Sequence, residues 1–465
     1  MLDVTAATPG RTGPARPLVL GTATASYQVE GSTDADGRGP SIWDTFAARP
    51  GAIADGSDGS VACGSYLHLD QDLALLEQSG VGLYRFSIAW PRVMPDGHGP
   101  VNSAGLDYYE RLVDGLVQRG ITPAPTLYHW DLPQPLEDAG GWLNRETALR
   151  LTDYALAVHD RLGDRVRLWA TLNEPWCSAF LGYAAGVHAP GRREGLGAYA
   201  AAHHLLLGHA LAAAALREHD AEADVGIVLN LTVVHPDGPG TQGPAAFVDA
   251  VQNRLWVDAL VDGTYPADLL EVAAPLRDPG VVHPGDLEAI RGSACWLGVN
   301  YYTPMRVAAP TQTGPAVGQD AAAFPGAPAL SFRPREPRTE MGWEVDPSGL
   351  EDLLAGLSRR APSLPLRVTE NGAAYADHAR AADGSVDDPD RVAYLKAHLA
   401  AVQRVRAAGA DVRAYIAWTL LDNFEWAEGY TKKFGLVEVE PGTLRRIPKR
   451  SFHWYAETAR AAARQ

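Results

Sequence analysis

Short, continuously apolar segments alternate with longer amphipathic segments along most of the chain. A short segment of this kind is typical of a strand that is buried on both faces, as in a parallel sheet. The pattern predicts eight such strands, at residues 17–24, 83–90, 122–130, 167–175, 225–232, 296–302, 366–372 and 412–423.

Helical periodicity occupies the stretches between these strands. One predicted helix follows Asn102, and another begins with Asn144 as its N-cap and ends at Gly163. Strands and helices in this alternation predict an α/β protein, a single (β/α)₈ TIM barrel with long βα loops. The barrel domain is predicted at residues 17–465, after a flexible N-terminal segment at residues 1–16.

A doubly wound open sheet is the alternative α/β fold. That fold usually carries a glycine-rich phosphate-binding turn after its first strand. Here the first strand is followed by "GTATASYQVEG", which matches the G-x-G-x-x-G pattern poorly. The barrel is therefore favoured, and the Pro-, Ala- and Gly-rich stretch 303–338 is predicted to be a long loop that forms a wall of the active site.

Composition narrows the classes of partner. The 465 residues are 46% hydrophobic and 21% charged, with a formal net charge of −16. Nucleic acids and anionic membranes need a basic surface, so neither is expected as a partner. No signal-peptide pattern and no apolar run of about 18 residues occurs. These features predict a cytoplasmic protein, and they leave open whether it forms a homo-oligomer.

No residue pattern indicates a metal or a cofactor. The chain has three widely spaced cysteines, which are predicted to be small core residues: Cys63, Cys177 and Cys295. Three histidines within one predicted helix lack the i, i+4 spacing of two ligands on one helical face: His203, His204 and His209. They are interpreted as ordinary helix residues.

The carboxyl ends of the strands form the active face of a TIM barrel. The residues predicted at or near those ends are Gln28, Arg85, His129, Trp130, Asn173, Glu174, Asn300, Tyr302, Glu370, Trp418, Glu425 and Trp426. Amides and carboxylates bind sugar hydroxyls, and indole rings pack on the C–H faces of a pyranose. Two carboxyl groups that flank one bond, here Glu174 and Glu370, are the groups that glycoside hydrolysis requires.

Several motifs also carry a family resemblance. In order along the chain they are "GTATASYQVEGS", "RFSIAWPRVMP", "TLYHWDLP", "TLNEP", "GVNYY", "TENG" and "WTLLDNFEWAEGY". From about Leu18 to Tyr455 the sequence resembles glycoside hydrolase family 1, the β-glucosidase family. The ordered set is far more specific than any one of these motifs.

The resemblance implies a role for each matching residue. Glu174 would be the general acid/base and Glu370 the nucleophile of a retaining mechanism, with the two carboxyl groups about 5–5.5 Å apart. Tyr302 would lie close to Glu370 and hydrogen-bond it, and Arg85 would help keep it ionised, with Asn300 and Trp130 in support. The residues that would bind the glycone sugar are Gln28, His129, Asn173, Glu425 and Trp426, with Trp418 as the stacking platform and Trp343 on the aglycone side.

The same resemblance indicates the class of substrate. Glu425 would repel a sugar 6-phosphate, and the Lys-x-Tyr pattern of phospho-β-glycosidases is absent around Lys432 and Lys433. Small neutral β-glycosides are therefore expected, such as cellobiose, cello-oligosaccharides and aryl or plant β-glucosides, with a role in cellulose degradation. A preference for glucose over galactose or fucose stays open. A sugar-binding protein without turnover and a transglycosylase are the alternatives.

Overall fold

A computed structural model of the protein describes residues 17–310, 321–377, 380–381 and 384–464. The predicted N-terminal segment at 1–16 lies outside the described residues. The strands of the described part are β1 (Val19–Ala23), β2 (Leu83–Ser87), β3 (Thr122–Tyr128), β4 (Leu168–Asn173), β5 (Asp224–Asn230), β6 (Val234–Asp237), β7 (Leu297–Asn300), β8 (Met305–Ala308), β9 (Ser331–Phe332), β10 (Leu366–Asn371), β11 (Val412–Trp418), β12 (Val437–Val439) and β13 (Arg446–Pro448).

Eight of these described strands close into a barrel in the order β1-β11-β10-β7-β5-β4-β3-β2. Every neighbouring pair is parallel. Most of the strand residues are apolar because one face of each strand points into the barrel and the other packs under the helices. The predicted (β/α)₈ TIM barrel is confirmed.

Helices fill the connections between the barrel strands. The α-helices of the described residues are α1 (Ser26–Val29), α2 (Ile42–Ala47), α3 (Leu69–Ser79), α4 (Trp90–Val93), α5 (Ser103–Gln118), α6 (Gln134–Asp138), α7 (Glu146–Leu162), α8 (Ala198–His219), α9 (Gln242–Asp249), α10 (Leu255–Asp262), α11 (Ala267–Leu270), α12 (Asp286–Ile290), α13 (Pro347–Arg360), α14 (Pro389–Ala407) and α15 (Arg450–Ala462). Helix α5 shows why they form, since its apolar residues Leu106, Leu112, Val113 and Leu116 are all buried at helical spacing.

The helical stretch Gly195–His219, which includes α8, is apolar because it lies inside the protein. By length and composition it is the one described helix that could cross a membrane, but 83% of its most apolar window is buried. It packs against α7 and against β4 and β5. His203, His204 and His209 are buried on it, and His203 Nε2 lies 2.9 Å from Asp286 Oδ2.

The structure corrects two details of the sequence prediction. The N-cap of α7 is Arg145, not Asn144, although the Asn144 side chain does accept a hydrogen bond from the Glu146 N–H at 3.0 Å. The stretch 303–338 is not entirely a loop, because β8 and β9 lie within it and pair with each other. Strand β8 also pairs with β6, so part of this wall is a small sheet.

Candidate active site

The carboxyl ends of the barrel strands surround a cavity of about 400 Å³. A cavity of this size suits a small-molecule ligand. Most of the predicted site residues line it: His129, Trp130, Asn173, Glu174, Asn300, Tyr302, Trp343, Glu370, Trp418, Glu425 and Trp426. Arg85 and Gln28 are buried beside these residues and contact them directly.

Glu174 follows the last residue of β4 and owes its position to an irregular strand end. The register between β4 and β5 shifts between Ala170 and Asn173, and the Glu174 N–H donates to the Val228 carbonyl at 2.8 Å. Glu174 itself has a φ of 43°. A non-glycine residue in this left-handed region is strained, and such strain is common at functional sites.

Glu370 lies within β10, which is also irregular beside its neighbour β7. Their register shifts between Val368 and Glu370. Two residues later, a Cβ on Gly372 would lie 1.9 Å from the Trp418 carbonyl oxygen. Glycine at 372 therefore allows the end of β10 to approach β11 closely, which sets Glu370 beside Trp418 in the same cavity.

Two donors hold the Glu370 carboxylate. Arg85 Nη1 lies 2.6 Å from Oε1, and the Tyr302 hydroxyl lies 2.6 Å from Oε2. Burial raises the pKa of Glu370, whereas the charge of Arg85 and the hydrogen bond from Tyr302 oppose that rise. The ion pair is almost fully buried on both sides. Glu370 is therefore the better placed of the two glutamates to carry a negative charge.

Glu174 has neutral partners instead. Asn300 Nδ2 donates to Oε1 at 2.6 Å, and the Cys177 thiol donates to Oε2 at 3.1 Å. Burial and the nearby charge of Glu370 raise the pKa of Glu174 to about 8. Glu174 is therefore the better placed of the two glutamates to hold a proton near neutral pH.

Asn173 contacts one hydrogen-bond partner of each glutamate and fixes the tautomer of His129. Its Oδ1 accepts from Arg85 Nη2 at 2.7 Å and from Asn300 Nδ2 at 3.1 Å, so its Nδ2 must be the atom that faces His129 Nε2 at 2.9 Å. Because Nε2 accepts, the proton of the neutral His129 ring is on Nδ1. Burial lowers the pKa of His129, which keeps the ring neutral.

Gln28 lies on the short helix α1, which follows β1. It is completely buried, and its Nε2 donates to Asn423 Oδ1 at 3.2 Å, to the Phe424 carbonyl at 2.9 Å and to Glu425 Oε2 at 3.4 Å. Its Oε1 has no hydrogen-bond partner among the described residues. Burial and the charges of Glu370 and Glu174 raise the pKa of Glu425 to about 8.

Aromatic rings enclose the part of the cavity next to His129 and Glu425, which we call its inner end. The His129 ring stacks between those of Trp418, at 6.0 Å, and Trp426, at 5.8 Å. Trp130 packs on Trp426 at 4.5 Å, and its Nε1 donates to the Asn173 carbonyl at 2.9 Å. Trp130 and Trp426 have φ values of 75° and 50°. Flat apolar faces thus lie beside the polar groups.

The sequence analysis missed many of the residues that line the rest of the cavity, which we call its outer end. The lining residues that it did not predict include Trp176, Cys177, Leu181, Val187, His188, Asn230, Thr232, Gln252, Met305 and Met341. Most of them come from helices and loops beyond the strand ends, so the strand pattern does not indicate them; Asn230 ends β5 and Met305 begins β8. Cys177 had a usable signal, since it lies three residues after Glu174 and two residues after Pro175.

One group of metal-ligating side chains is found among the described residues. Ligand atoms of His159, Asp160 and His219 lie within 4.8 Å of one another, at the C-terminal ends of α7 and α8. Helices of a TIM barrel end at the face opposite the carboxyl ends of the strands. This group is therefore remote from the cavity, and two of its three members are exposed.

Comparison with known proteins agrees with the geometry. The family model "Glycosyl hydrolase family 1" matches residues 15–463. Thermostable β-glucosidase B of Thermobispora bispora is 48% identical over 95% of this chain and 90% of its own length. A bifunctional β-D-glucosidase/β-D-fucosidase of Bifidobacterium breve is 45% identical over 94% and 96%.

Solved structures show the same relationship. The psychrophilic β-glucosidase of Micrococcus antarcticus superimposes with a TM-score of 0.91 at 46% identity, over 96% of this chain and 97% of that one. The β-glucosidase of Thermotoga maritima in complex with deoxynojirimycin has a TM-score of 0.87 at 39% identity, over 96% and 99%.

Proposed function

The chain belongs to glycosyl hydrolase family 1, and we propose that it hydrolyses terminal β-D-glucosyl residues of small neutral glycosides by double displacement. In the first step a Glu370 oxygen bonds to the anomeric carbon, the bond to the aglycone oxygen breaks, and the Glu174 proton passes to that oxygen. In the second step Glu174 takes a proton from water, the water oxygen bonds to the anomeric carbon, and the bond to Glu370 breaks.

The opposite surroundings of the two carboxyl groups carry this assignment. Glu370 contacts a guanidinium and a phenol, which stabilise its anion. Glu174 contacts an amide and a thiol and lies in the field of Glu370, which favours its protonated form. Two buried carboxyl groups whose environments separate their pKa values are the arrangement expected of a nucleophile and an acid/base.

Unpaired buried atoms support a sugar as the ligand of the inner end. Gln28 Oε1 is an acceptor without a partner, and His129 Nδ1 is a donor without a partner, among the described residues. Buried polar groups are almost always hydrogen-bonded, so this donor and this acceptor call for a ligand. Sugar hydroxyls both donate and accept, and Trp418 offers a face for the pyranose C–H bonds.

The residues around the inner end favour a neutral glycone. Glu425 lies there, and a sugar phosphate would meet its carboxyl group. The two nearby lysines have other acceptors, since Lys432 Nζ donates to the Glu340 carbonyl at 2.9 Å and Lys433 Nζ pairs with Glu438 at 3.2 Å. A terminal glucosyl group without phosphate therefore fits best.

The outer end favours an apolar or a second sugar ring as aglycone. Trp343 lies 5.3 Å from Tyr302, ring to ring, and the cavity beside it is lined by Met305 and Met341. Cellobiose, cello-oligosaccharides and aryl or plant β-glucosides are the substrates proposed. The cytoplasmic location, the role in cellulose degradation and the oligomeric state stay predictions from the sequence.

Proton NMR during hydrolysis of p-nitrophenyl β-D-glucoside tests the proposed mechanism. We expect β-glucose to appear first and α-glucose to follow only by mutarotation, because two inversions at the anomeric carbon retain its configuration. Early α-glucose would contradict double displacement. The β-D-galactoside and the β-D-fucoside, assayed in parallel, rank the glycones, and an added alcohol reports any share of transfer.

The Tyr302→Phe variant tests the electrostatic role of the phenol. Loss of the 2.6 Å hydrogen bond removes a group that lowers the pKa of Glu370, so that pKa should rise. Since attack needs the ionised form, the acidic limb of the kcat/KM profile should move to higher pH, with a loss of roughly 10-fold near neutrality. An unchanged acidic limb would contradict this role of Tyr302. The matched control is Tyr301→Phe, because the Tyr301 hydroxyl donates to the Asp346 carbonyl outside the cavity.

A further inference from the structure

The side chain of Cys177 reaches the second oxygen of the Glu174 carboxyl group. The chain turns sharply after β4, where the Cys177 N–H donates to the Glu174 carbonyl at 2.9 Å and closes a turn that contains Pro175. This turn brings residue i+3 back over residue i. The Cys177 sulfur lies 3.1 Å from Glu174 Oε2, and both residues are buried and line the cavity.

A second side chain orients the thiol. Asn230 Nδ2 donates to Cys177 Sγ at 3.5 Å from the end of β5. The backbone of Asn230 is held in turn, because Gln252 Nε2 donates to its carbonyl at 2.6 Å. A sulfur that accepts from Asn230 is left with its own proton to donate, and Glu174 Oε2 is the acceptor within reach.

The thiol stays protonated and is a donor to the ionised carboxylate of Glu174. Burial and the neighbouring charge of Glu174 raise the pKa of Cys177 well above its usual value. Glu174 thus has a donor on each oxygen, Asn300 on Oε1 and Cys177 on Oε2. A thiol is a weak donor, so it holds the group in place without forcing its ionisation.

We propose that Cys177 is a positioning residue for the acid/base, oriented by Asn230, and that its thiol sets the balance between the protonated and ionised forms of Glu174. This inference rests on the proposed function of Glu174, which must donate a proton in the first step and accept one in the second. A strong donor at this position would favour the ionised form of Glu174, which is the base of the second step. Without a donor, the protonated form, which is the acid of the first step, would be favoured. The weak thiol serves both steps.

Substitutions at position 177 give opposite expectations. The Cys177→Ala variant removes the donor, so the pKa of Glu174 should rise and the basic limb of kcat/KM should move to higher pH by roughly 0.5 to 1 unit. The Cys177→Ser variant supplies a stronger donor, so that limb should move to lower pH. The basic limb of kcat/KM reports the acid in the free enzyme, and a residue that merely fills space would not move it in both directions.

Two further variants make the test specific. Asn230→Ala should move the basic limb in the direction of Cys177→Ala but by less, and it should add nothing in the double variant, since both act through one hydrogen-bonded chain. Cys295→Ala is the matched control. Cys295 precedes β7, at the end of the barrel opposite the cavity, and its loss should leave the profile unchanged.

The activity of the wild-type protein separates a failure of the proposed function from a failure of the proposed role of Cys177. If the wild-type protein does not hydrolyse p-nitrophenyl β-D-glucoside, the proposed function fails. If it does, and the basic limb stays at the same pH in Cys177→Ala, Cys177→Ser and Asn230→Ala, the role of Cys177 alone is overturned. Circular dichroism of each variant identifies any that is misfolded, and the serine variant, which changes one atom, keeps the test decisive if alanine is not tolerated.

Discussion

The Glu370→Ala variant is expected to lower kcat on β-glucosides by on the order of 10⁵-fold, because it removes the atom that forms the bond to the anomeric carbon. The buried Arg85 would keep its charge in the emptied space, beside Tyr302. A small anion such as azide should occupy that space. With 2,4-dinitrophenyl β-D-glucoside, added azide should restore turnover and give α-glucosyl azide, since it attacks from the face that Glu370 occupied.

The anomer of the rescued product decides this prediction. β-Glucosyl azide would place the missing group on the opposite face of the sugar and contradict the role of Glu370. Wild-type rates of hydrolysis without azide would show that Glu370 is not the nucleophile. The matched control is Glu438→Ala, which removes another buried glutamate, ion-paired with Arg380 and Lys433 outside the cavity. We expect that variant to lose stability and to keep kcat close to the wild-type value.

The barrel could be predicted because its strands are mostly apolar and alternate with amphipathic segments. The predicted ends of the strands were less accurate. The segment predicted at 83–90 ends as a strand at Ser87, and Trp90 already begins helix α4. Burial alone cannot distinguish these two structures, since Ile88 and Trp90 are as buried as the strand before them.

The inner end of the site could also be predicted, because polar residues at the ends of apolar strands are conspicuous. The family motifs then suggested a role for each of them. What the sequence does not contain is their mutual orientation. The amide of Asn173 is fixed only by Arg85 and Asn300, which lie 88 and 127 residues away along the chain, and the tautomer of His129 follows from that orientation.

The outer end shows the limit most clearly. Asn230 and Gln252 are adjacent in the cavity, although one ends a barrel strand and the other lies in the π-helical turn Ala250–Arg254. Their residue types are unremarkable in sequence. Only the packing of that turn against the end of β5 brings their amides to the same wall, so loop conformation decides which residues contact the aglycone.

The Glu174→Ala variant should separate the two steps of the reaction. Without its acid, the enzyme should lose about 10²–10⁴-fold in kcat/KM on cellobiose, whose leaving oxygen must be protonated. It should lose far less on 2,4-dinitrophenyl β-D-glucoside, whose phenolate leaves without a proton. Its alkaline limb should disappear, because that limb is expected to come from deprotonation of Glu174, whose pKa is raised to about 8 by burial and by the charge of Glu370.

Azide gives this variant a signature opposite to that of Glu370→Ala. The glycosyl–enzyme still forms on Glu370, and azide in the space left by Glu174 should attack it from the other face and yield β-glucosyl azide. The matched variant Glu174→Gln keeps the size of the side chain and its contact with Asn300 but leaves no space for azide, so its rate should not be rescued. Equal losses on cellobiose and on the dinitrophenyl substrate would show that Glu174 does not protonate the leaving group, and the two glutamates would then need new roles.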